Sequence, residues 1–354
     1  MSPGSTSPGS TVALLRTHVR TTTALLVALA TLVLLALVPA PTATAQTAAP
    51  TSTQAVPDLP WLATSGNRIV TADSGQDVIL RGANVLRSEW DLQMNAERRA
   101  IPALAAWKGN VIVRGFASDP VNAGDAQYLA MLDEHVTLAA ANRMYVVFAW
   151  RSHDINGQQP PMPDDRAQRA LATLAKRYST KSNVMYALQV EPHDVTWSQL
   201  QPRFVQMVDA IRTAAAPRKP IVMIPGTSWG RDVSGAITQP VPRDNIVYKT
   251  HQYNRASDFQ RYFLDTYDTG KPVFIGEFGY VPEIGMEMAD VNALIETARE
   301  LGLSWAAWKF DFQGGPNLVA DNTTFTPSQP YGTAVHAALR KNPVLPPARA
   351  SAPD

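Results

Sequence analysis

Residues 272–308 read PVFIGEFGYVPEIGMEMADVNALIETARELGLSWAAW, and this stretch decides the fold class. An apolar run at residues 272–276 is followed by an amphipathic segment at 288–301 and by a second apolar run at 303–308. Short apolar runs are typical of strands covered on both faces, and the segment between them has helical periodicity. The stretch therefore predicts a strand, a helix and a second, parallel strand.

The same alternation recurs along most of the chain. Apolar or aromatic runs that predict strands lie at residues 78–84, 110–116, 144–150, 184–190, 221–225, 246–251, 272–276 and 303–308. Helical periodicity is weakest after residue 225 and clearest at residues 125–142, 165–179, 198–215 and 288–301. Because eight consecutive strand–helix units close one barrel of about 250 residues, we predict an α/β protein with a single (β/α)8 TIM barrel.

Two further observations refine this prediction. The segments 66–70 and 78–80 flank Asp73-Ser74-Gly75, which predicts an N-terminal β-hairpin that closes the barrel floor. An open, doubly wound sheet would also alternate strands and helices, but it usually carries a G-x-G-x-x-G turn after its first strand. Residues 82–85 read GANV and do not fit that turn, which favours the closed barrel.

The N-terminal region has the composition of a secretory signal. An apolar run at residues 24–38 follows Arg16, His18 and Arg20 and precedes the small residues Ala43-Thr44-Ala45. The run is shorter than the ~20 residues that span a bilayer, so we predict cleavage after Ala45 and secretion, with an uncleaved signal-anchor as the alternative. The predicted division of the chain is a signal peptide (1–45), an Ala/Thr/Pro-rich linker (46–58), a barrel domain (59–341) and a Pro/Ala-rich tail (342–354). After cleavage we expect no stable association with a membrane.

Composition narrows the chemistry. The 354 residues include 31 Lys and Arg against 30 Asp and Glu, and this balance does not predict a nucleic-acid partner. The chain has no cysteine, which excludes disulfides, thiolate nucleophiles and cysteine-bound metals. Because the sequence has no H-E-x-x-H motif, we expect neither a metal nor another cofactor. We expect the protein to be a monomer.

Glutamates end two of the predicted strands. Glu191 follows the fourth strand and Glu277 follows the seventh. In a closed barrel the loops at the carboxyl ends of the strands build the site, and these two ends can face each other across the mouth. Two carboxylates about 5 Å apart are what retaining glycoside hydrolysis requires, one as nucleophile and the other as acid and then base. The pair therefore predicts this chemistry, with a polysaccharide or oligosaccharide as substrate.

Other residues at strand ends predict the surroundings of the pair. Arg114 belongs to the second strand, and a buried Arg beside a carboxylate would keep that carboxylate ionised. His251 and Tyr253 end the sixth strand at a spacing of two, which places both side chains on one face. Trp308 ends the eighth strand and offers a platform on which a sugar could stack.

These motifs resemble those of glycoside hydrolase family 5, the cellulase family within the clan of retaining (β/α)8 enzymes. The resemblance extends from Gly66-Asn67 and the LRGAN of residues 80–84 to Thr326-Pro327 and Tyr331-Gly332. It is most specific at EPHD (191–194) with Trp197, at H-x-Y (251–253), at GEFG (276–279) and at Trp308. The resemblance implies a secreted enzyme that cleaves β-linked glucan, as a cellulase or endoglucanase does.

The same resemblance implies a role for each matching residue. Glu191 would be the acid/base and Glu277 the nucleophile. Arg114 would brace the nucleophile. The subsite next to the scissile bond would be lined by His251, Tyr253 and Trp308, and the Tyr253 hydroxyl would donate a hydrogen bond to Glu277.

Two positions depart from the family pattern. The family normally has Asn directly before the acid/base, where its amide binds the sugar 2-hydroxyl, and this chain has Val190. The third strand usually ends in a His after an aromatic residue, but here Trp150 is followed by Arg151-Ser152-His153. We count His153 among the substrate-binding candidates, and the choice between Arg151 and His153 for this place stays open.

The sequence leaves several alternatives. The same barrel could act on mannan or another β-glycoside, and endo and exo action are not distinguished. Val190 is compatible with a weakened enzyme that only binds carbohydrate. Residues 226–230 read GTSWG and fit G-x-S-x-G, which allows a serine esterase with Ser228 as nucleophile.

Overall fold

A computed structural model describes residues 59–85, 95–151, 159–343 and 345. The predicted signal peptide, the linker and most of the tail lie outside these residues, and so does His153. Within the described ranges, no helix is both long enough and apolar enough to cross a bilayer.

A two-stranded hairpin precedes the barrel. Its arms are β1 (Leu62–Ser65) and β2 (Arg68–Thr71), which pair antiparallel. The hairpin is present, and the chain also reverses at the predicted turn, where Val70 forms an antiparallel bridge with Asp77 and the Val78 N–H donates to Ile69 O at 2.9 Å. The longer pairing, however, joins β1 to β2. The chain reverses at Gly66, whose φ of 56° costs glycine little, so the strands are joined by two residues.

The hairpin lies at the amino-terminal end of the barrel. Leu62 and Ile69 pack with Tyr145 in the cluster that fills the barrel interior. The Thr64 N–H donates to Asn245 Oδ1 at 3.1 Å, directly before a barrel strand begins. These contacts place the hairpin at the barrel floor, as predicted.

Eight parallel strands close the barrel, and each pairs with the next along the chain until the last pairs with the first. These strands are β3 (Arg81–Asn84), β4 (Val111–Phe116), β5 (Tyr145–Trp150), β6 (Val184–Ala187), β7 (Val222–Pro225), β8 (Ile246–Gln252), β9 (Val273–Phe278) and β10 (Ser304–Ala307). All eight overlap the predicted runs, and the single (β/α)8 barrel is confirmed. The fourth and seventh barrel strands, which lead to the two glutamates, are β6 and β9.

Helices connect the strands and cover the outside of the barrel. The α-helices are α1 (Asn95–Ala106), α2 (Ser118–Ala123), α3 (Ala126–Ala141), α4 (Asp165–Arg177), α5 (Trp197–Ala215), α6 (Thr227–Gly230), α7 (Gly235–Thr238), α8 (Asp265–Asp268), α9 (Met288–Leu301) and α10 (Tyr331–Leu339). Short 3-10 segments lie at Ala256–Asp258 and Pro282–Ile284, and a π-helical turn at Gln260–Leu264. The weak periodicity after residue 225 corresponds to the short α6 and α7.

Side chains of the barrel strands alternate between the barrel interior and the helix layer. In β4, Val111 and Val113 belong to the interior cluster, whereas Ile112 and Phe116 pack in the outer cluster with the helices. This is the two-residue period of a strand. The alternation determines which residues at the strand ends face the mouth of the barrel.

Candidate active site

Glu191 and Glu277 meet at the mouth of the barrel. Glu191 lies in the loop after β6, and Glu277 lies near the end of β9. A register shift between β8 and β9 brings His251 opposite Glu277. One oxygen of each carboxylate and one His251 nitrogen all lie within 4.8 Å of one another. This proximity fits the carboxyl separation of about 5 Å in retaining glycosidases.

Two side chains at the end of β8 contact the carboxylates. His251 Nδ1 lies 2.9 Å from Glu191 Oε1 and 3.5 Å from Glu277 Oε2. Tyr253 Oη donates to Glu277 Oε2 at 3.0 Å, the hydrogen bond implied by the family resemblance. Glu277 is 5% exposed, whereas the side chain of Glu191 is 23% exposed. The structure thus brings these four residues together and leaves Glu191 more open to solvent.

Arg151 and Trp308 form one wall of the site. The interior residues of β5 are Tyr145, Val147 and Ala149. Continued alternation turns Arg151 inward, and its guanidinium carbon lies 5.1 Å from the centroid of the Trp308 ring. Arg151, Trp308 and Glu277 line one small cavity. Of the two candidates after the third barrel strand, Arg151 therefore lies beside the carboxylates, and His153 lies outside the described residues.

Arg114 faces away from the site. Because Val113 points into the barrel, Arg114 points to the helix layer and is buried there. Its Nε donates to His135 Nδ1 on α3 at 3.3 Å, and its Nη1 donates to Gly115 O at 2.7 Å. The prediction that Arg114 braces Glu277 is therefore wrong, because strand alternation directs the guanidinium to the outside of the barrel.

Lys249 is a site residue that was not among those predicted from the sequence. It lies two residues before His251 on β8, so both side chains point into the barrel. Its Nζ lies 2.6 Å from His251 Nε2 and donates to Val190 O at 3.1 Å. A lysine within an apolar strand, at even spacing from a candidate site residue, is the signal that could have identified it.

At the position where the family has Asn, the structure has the apolar side chain of Val190. Its side chain is buried in the interior cluster and lines the same small cavity as Glu277. The preceding amide, Gln189 Nε2, donates to Pro160 O at 2.7 Å. A contact with the sugar 2-hydroxyl therefore has to come from another element.

An exposed indole lies beside the segment that carries Glu191. Trp229, in the connection after β7, is 51% exposed and stacks on His193 with the ring centroids 4.0 Å apart and the planes 10° apart. The backbone N–H of Trp229 donates to Pro192 O at 2.8 Å. These contacts fix an aromatic face close to Glu191, where it is suited to stacking against a sugar ring. His193 belongs to the EPHD motif, but neither it nor Trp229 was among the predicted site residues.

The surroundings shift the pKa values of the two glutamates in opposite directions. Burial and the charge of Glu191 raise the pKa of Glu277 to about 8. Burial also disfavours the ionised form of Glu191, but the hydrogen bond from His251 and nearby positive charges outweigh it. The pKa of Glu191 therefore lies below its ordinary value, and the charges that lower it are those of protonated His251, Lys249 and Arg151. The two carboxyl groups titrate as a pair, and near neutral pH they hold one proton between them, with the surroundings favouring it on Glu277.

Burial and the charge of Lys249 lower the pKa of His251 to about 4, so its imidazole is neutral at neutral pH. Among the described residues, Glu191, His251 and Glu277 form the one group of ligand atoms close enough to hold a metal ion. The ammonium of Lys249, at 2.6 Å from His251 Nε2, opposes a further positive charge there. The positive charges close to the carboxylates are therefore those of Lys249 and Arg151.

Ser228 lies on a turn without the partners of a hydrolytic serine. The residue is exposed and has a φ of 55°. Both ring nitrogens of His251 and both of His193 contact other groups, so neither histidine is available as a base for Ser228. The described part of the chain therefore gives the serine esterase no support.

Comparison with known proteins identifies relatives. A model of the cellulase family, glycosyl hydrolase family 5, matches residues 47–314. Endoglucanase A of Butyrivibrio fibrisolvens is 26% identical over 234 residues, which cover 63% of this chain and 53% of that protein. Endoglucanase E-5 of Thermobifida fusca is 27% identical over 262 residues, which cover 69% and 54%. The chain spans about half the length of these curated relatives.

Solved structures share the fold. The β-glucanase SdGluc5_26A from Saccharophagus degradans, in complex with cellotetraose, matches with a TM-score of 0.72 at 19% identity over 81% of this chain and 95% of that one. The catalytic domain of Thermobifida fusca endoglucanase Cel5A matches with a TM-score of 0.66 at 21% identity over 79% and 97%. The family model covers most of the chain, and the chain therefore belongs to glycosyl hydrolase family 5, the cellulase family.

Proposed function

We propose that the protein is a retaining glycosidase that hydrolyses β-linked glucan by double displacement, with Glu277 as nucleophile and Glu191 as acid and then base. The observation that carries the proposal is the close carboxylate pair, whose nearest ligand atoms lie within 4.8 Å. An inverting enzyme needs about 6.5–9.5 Å between its carboxyl groups to admit a water. The pair is too close for that arrangement.

Glu277 is held through one of its oxygens. Oε2 accepts the Tyr253 hydrogen bond and lies 3.5 Å from His251 Nδ1, so attack falls to Oε1. In the first step Oε1 forms a bond to the anomeric carbon as the glycosidic C–O bond breaks, which gives a glycosyl ester. Glu191 gives its proton to the leaving oxygen in this step. In the second step Glu191 takes a proton from the water that cleaves the ester.

The reaction requires the shared proton on Glu191, whereas the surroundings favour it on Glu277. Moving this proton from one carboxyl group to the other leaves the charge of the pair unchanged. Hydrogen bonding of the leaving oxygen to Glu191 favours the transfer, and the charges of Lys249 and Arg151 stabilise the Glu277 carboxylate that results. Substrate binding and activation of the nucleophile are coupled in this way.

The proposed substrate is an uncharged β-glucan. Trp308, which lines a cavity with Glu277, and Trp229, which contacts the residue after Glu191, offer aromatic faces for sugar rings to stack on. The endoglucanase relatives and the β-glucanase solved with cellotetraose support this substrate class.

A panel of purified β-glucans, mannan and aryl glycosides tests the proposal, with Glu277→Ala as the blank. We expect reducing ends from β-glucan, with retention of the anomeric configuration in the first product, and no release by Glu277→Ala. Glu191→Ala should lose activity on glucan and keep part of it on aryl glycosides with good leaving groups. Activity on mannan alone would change the substrate, and binding without products would leave a carbohydrate-binding barrel. Wild-type rates in both variants would contradict the assignment of the two glutamates.

We further propose that the protein is secreted with cleavage after Ala45. The apolar run at residues 24–38 and the small residues before the cleavage point support this proposal. N-terminal sequencing of protein from the culture medium should give Gln46 as the first residue. A start at Met1 would contradict cleavage.

A further inference from the structure

Lys249, His251 and Glu191 form a continuous chain of hydrogen-bonding contacts. Lys249 Nζ lies 2.6 Å from His251 Nε2, and His251 Nδ1 lies 2.9 Å from Glu191 Oε1. Lys249 and His251 are each only 1% exposed. The contacts therefore lead from the barrel interior to one oxygen of the carboxyl group, and bulk solvent does not replace them.

The barrel makes room for this lysine. A Cβ atom on Gly276 would lie 2.6 Å from Lys249 Cγ and 2.8 Å from Lys249 Cδ, well inside contact distance. The φ of Gly276 is not in the left-handed region, so the backbone does not require a glycine there. Close approach of the Lys249 stem accounts for a glycine directly before Glu277.

We propose that Lys249 is a positioning residue that fixes the tautomer of His251 and thereby directs the catalytic proton of Glu191 to the oxygen that faces the substrate. This inference rests on the proposed function, in which Glu191 is the acid. A charged lysine has N–H donors and no acceptor, so His251 Nε2 accepts its hydrogen bond. The proton of the neutral imidazole is then on Nδ1 and is donated to Glu191 Oε1. When Glu191 is protonated, its proton is consequently on Oε2.

Without the positive charge at residue 249, the opposite arrangement becomes available. The imidazole can then carry its proton on Nε2, and Nδ1 accepts a hydrogen bond from Glu191 Oε1. The proton of Glu191 would point at His251 instead of the leaving oxygen, and acid catalysis would stop. Burial lowers the pKa of Lys249 to about 8, so the amine keeps its charge at neutral pH.

The variant Lys249→Met tests this role. Methionine keeps the approximate size, but removing one partner from a buried set of charges destabilises the fold, so the melting temperature of the variant is measured as well. We expect kcat on β-glucan to fall at least about tenfold with little change in KM, because acid catalysis contributes about that much or more. Hydrolysis of a dinitrophenyl glycoside, whose leaving group needs no proton, should fall by a smaller factor, because it loses only the charge that stabilises the Glu277 carboxylate. The control is Lys219→Met. It removes an exposed lysine that precedes β7 and pairs with Asp244, and it should leave both rates unchanged.

A spectroscopic measurement reads the tautomer directly. In protein labelled with ¹⁵N-histidine, we expect the proton of His251 on Nδ1 in the wild type and a shift toward Nε2 in Lys249→Met. The variant His251→Gln assigns the signal. A structural role of Lys249 alone would not move this signal, since it would lower both rates and leave the tautomer unchanged.

Two results would overturn the inference: a proton on Nε2 in the wild type, or wild-type rates on glucan in Lys249→Met. The wild-type spectrum decides the question even if the variant folds poorly. A wild type that hydrolyses no β-glycoside, or an active Glu277→Ala, would instead contradict the proposed function, and the tautomer measurement would still test the contact between Lys249 and His251.

Discussion

Tyr253 donates a hydrogen bond to Glu277 Oε2 over 3.0 Å from a residue that lies two positions after His251 on the chain. Burial raises the pKa of Tyr253 well above its ordinary value, so the phenol remains a donor over the whole working pH range. A donor to the ionised carboxylate stabilises the nucleophile and fixes its orientation. The end of β8 and the residue after it thus hold the two carboxyl groups by different side chains.

Tyr253→Phe should lower kcat on β-glucan by about 10- to 100-fold, because a hydrogen bond to a charged group contributes about 1.5–3 kcal/mol. Steady-state kinetics on a soluble glucan measure the effect, and KM should change little. Tyr267→Phe, whose hydroxyl donates to Leu301 O at 2.9 Å, is the matched control and should keep the wild-type rate. An unchanged kcat in Tyr253→Phe would remove the tyrosine from the mechanism.

Arg151→Met should lower activity and leave stability unchanged, whereas Arg114→Met should lower stability and leave activity unchanged. The first removes a positive charge beside Glu277, so kcat/KM should fall about tenfold or more while the melting temperature stays close to the wild-type value. The second removes the donor to His135 and Gly115 outside the barrel, so it should lower the free energy of unfolding by about 1–3 kcal/mol and leave kcat/KM unchanged. Kinetics and thermal unfolding of both variants decide the matter. A loss of kcat/KM in Arg114→Met with unchanged stability would contradict the placement of Arg114 outside the site.

Glu277→Gln should stabilise the fold increasingly as pH rises. The pKa of Glu277 is raised from 4.5 to about 8, so the folded protein keeps a proton that the unfolded chain releases. This contribution to stability is complete below about pH 4.5 and is lost as pH rises through about 8. Glutamine does not titrate, so the melting temperature of the variant should exceed that of the wild type by more at pH 8 than at pH 4.5. The exposed Glu283→Gln serves as the control, and a difference independent of pH would contradict the prediction.

Trp229→Ala should lower kcat/KM on polymeric glucan by about 3- to 10-fold, because one aromatic stacking contact contributes about 0.5–1.5 kcal/mol. An aryl glycoside that does not extend past the scissile bond should be hydrolysed at the wild-type rate. The comparison variant is Leu301→Ala, which removes an exposed apolar side chain at the end of α9. Equal losses on both substrates in Trp229→Ala would indicate damage to the acid and not to a sugar-binding face.

The strands were predictable because each is buried on both faces and reads as a short apolar run. The same property hides the direction of the side chains. All six residues of β4 are buried, so nothing in VIVRGF shows that Arg114 faces the helices and Gly115 the interior. Lys249 was missed for the same reason, since β8 is buried throughout. Which face a residue occupies depends on the barrel register, and this follows only from the assembled ring.

The hairpin shows a second limit of the sequence. Gly66 and Gly75 both have positive φ, at 56° and 67°, and both are flanked by residues typical of turns. Local composition therefore indicates two turns, and antiparallel contacts form across both, but it does not say which turn joins the longer pair of strands. The pairing is decided by packing of Leu62 and Ile69 against the barrel floor, which is a long-range contact.

Closure of the barrel joins parts of the chain that are far apart. The Leu80 N–H donates to Ser304 Oγ across 224 residues, and β9 is held in the ring only through β8 and β10. Contacts over such separations form late in folding, because the entropy of a long loop is lost before they become favourable. Glu277 consequently meets Glu191 only when the last strands enter the ring. Recovery of hydrolysis after denaturation would therefore report the completion of the whole ring, and a partly folded chain would be inactive.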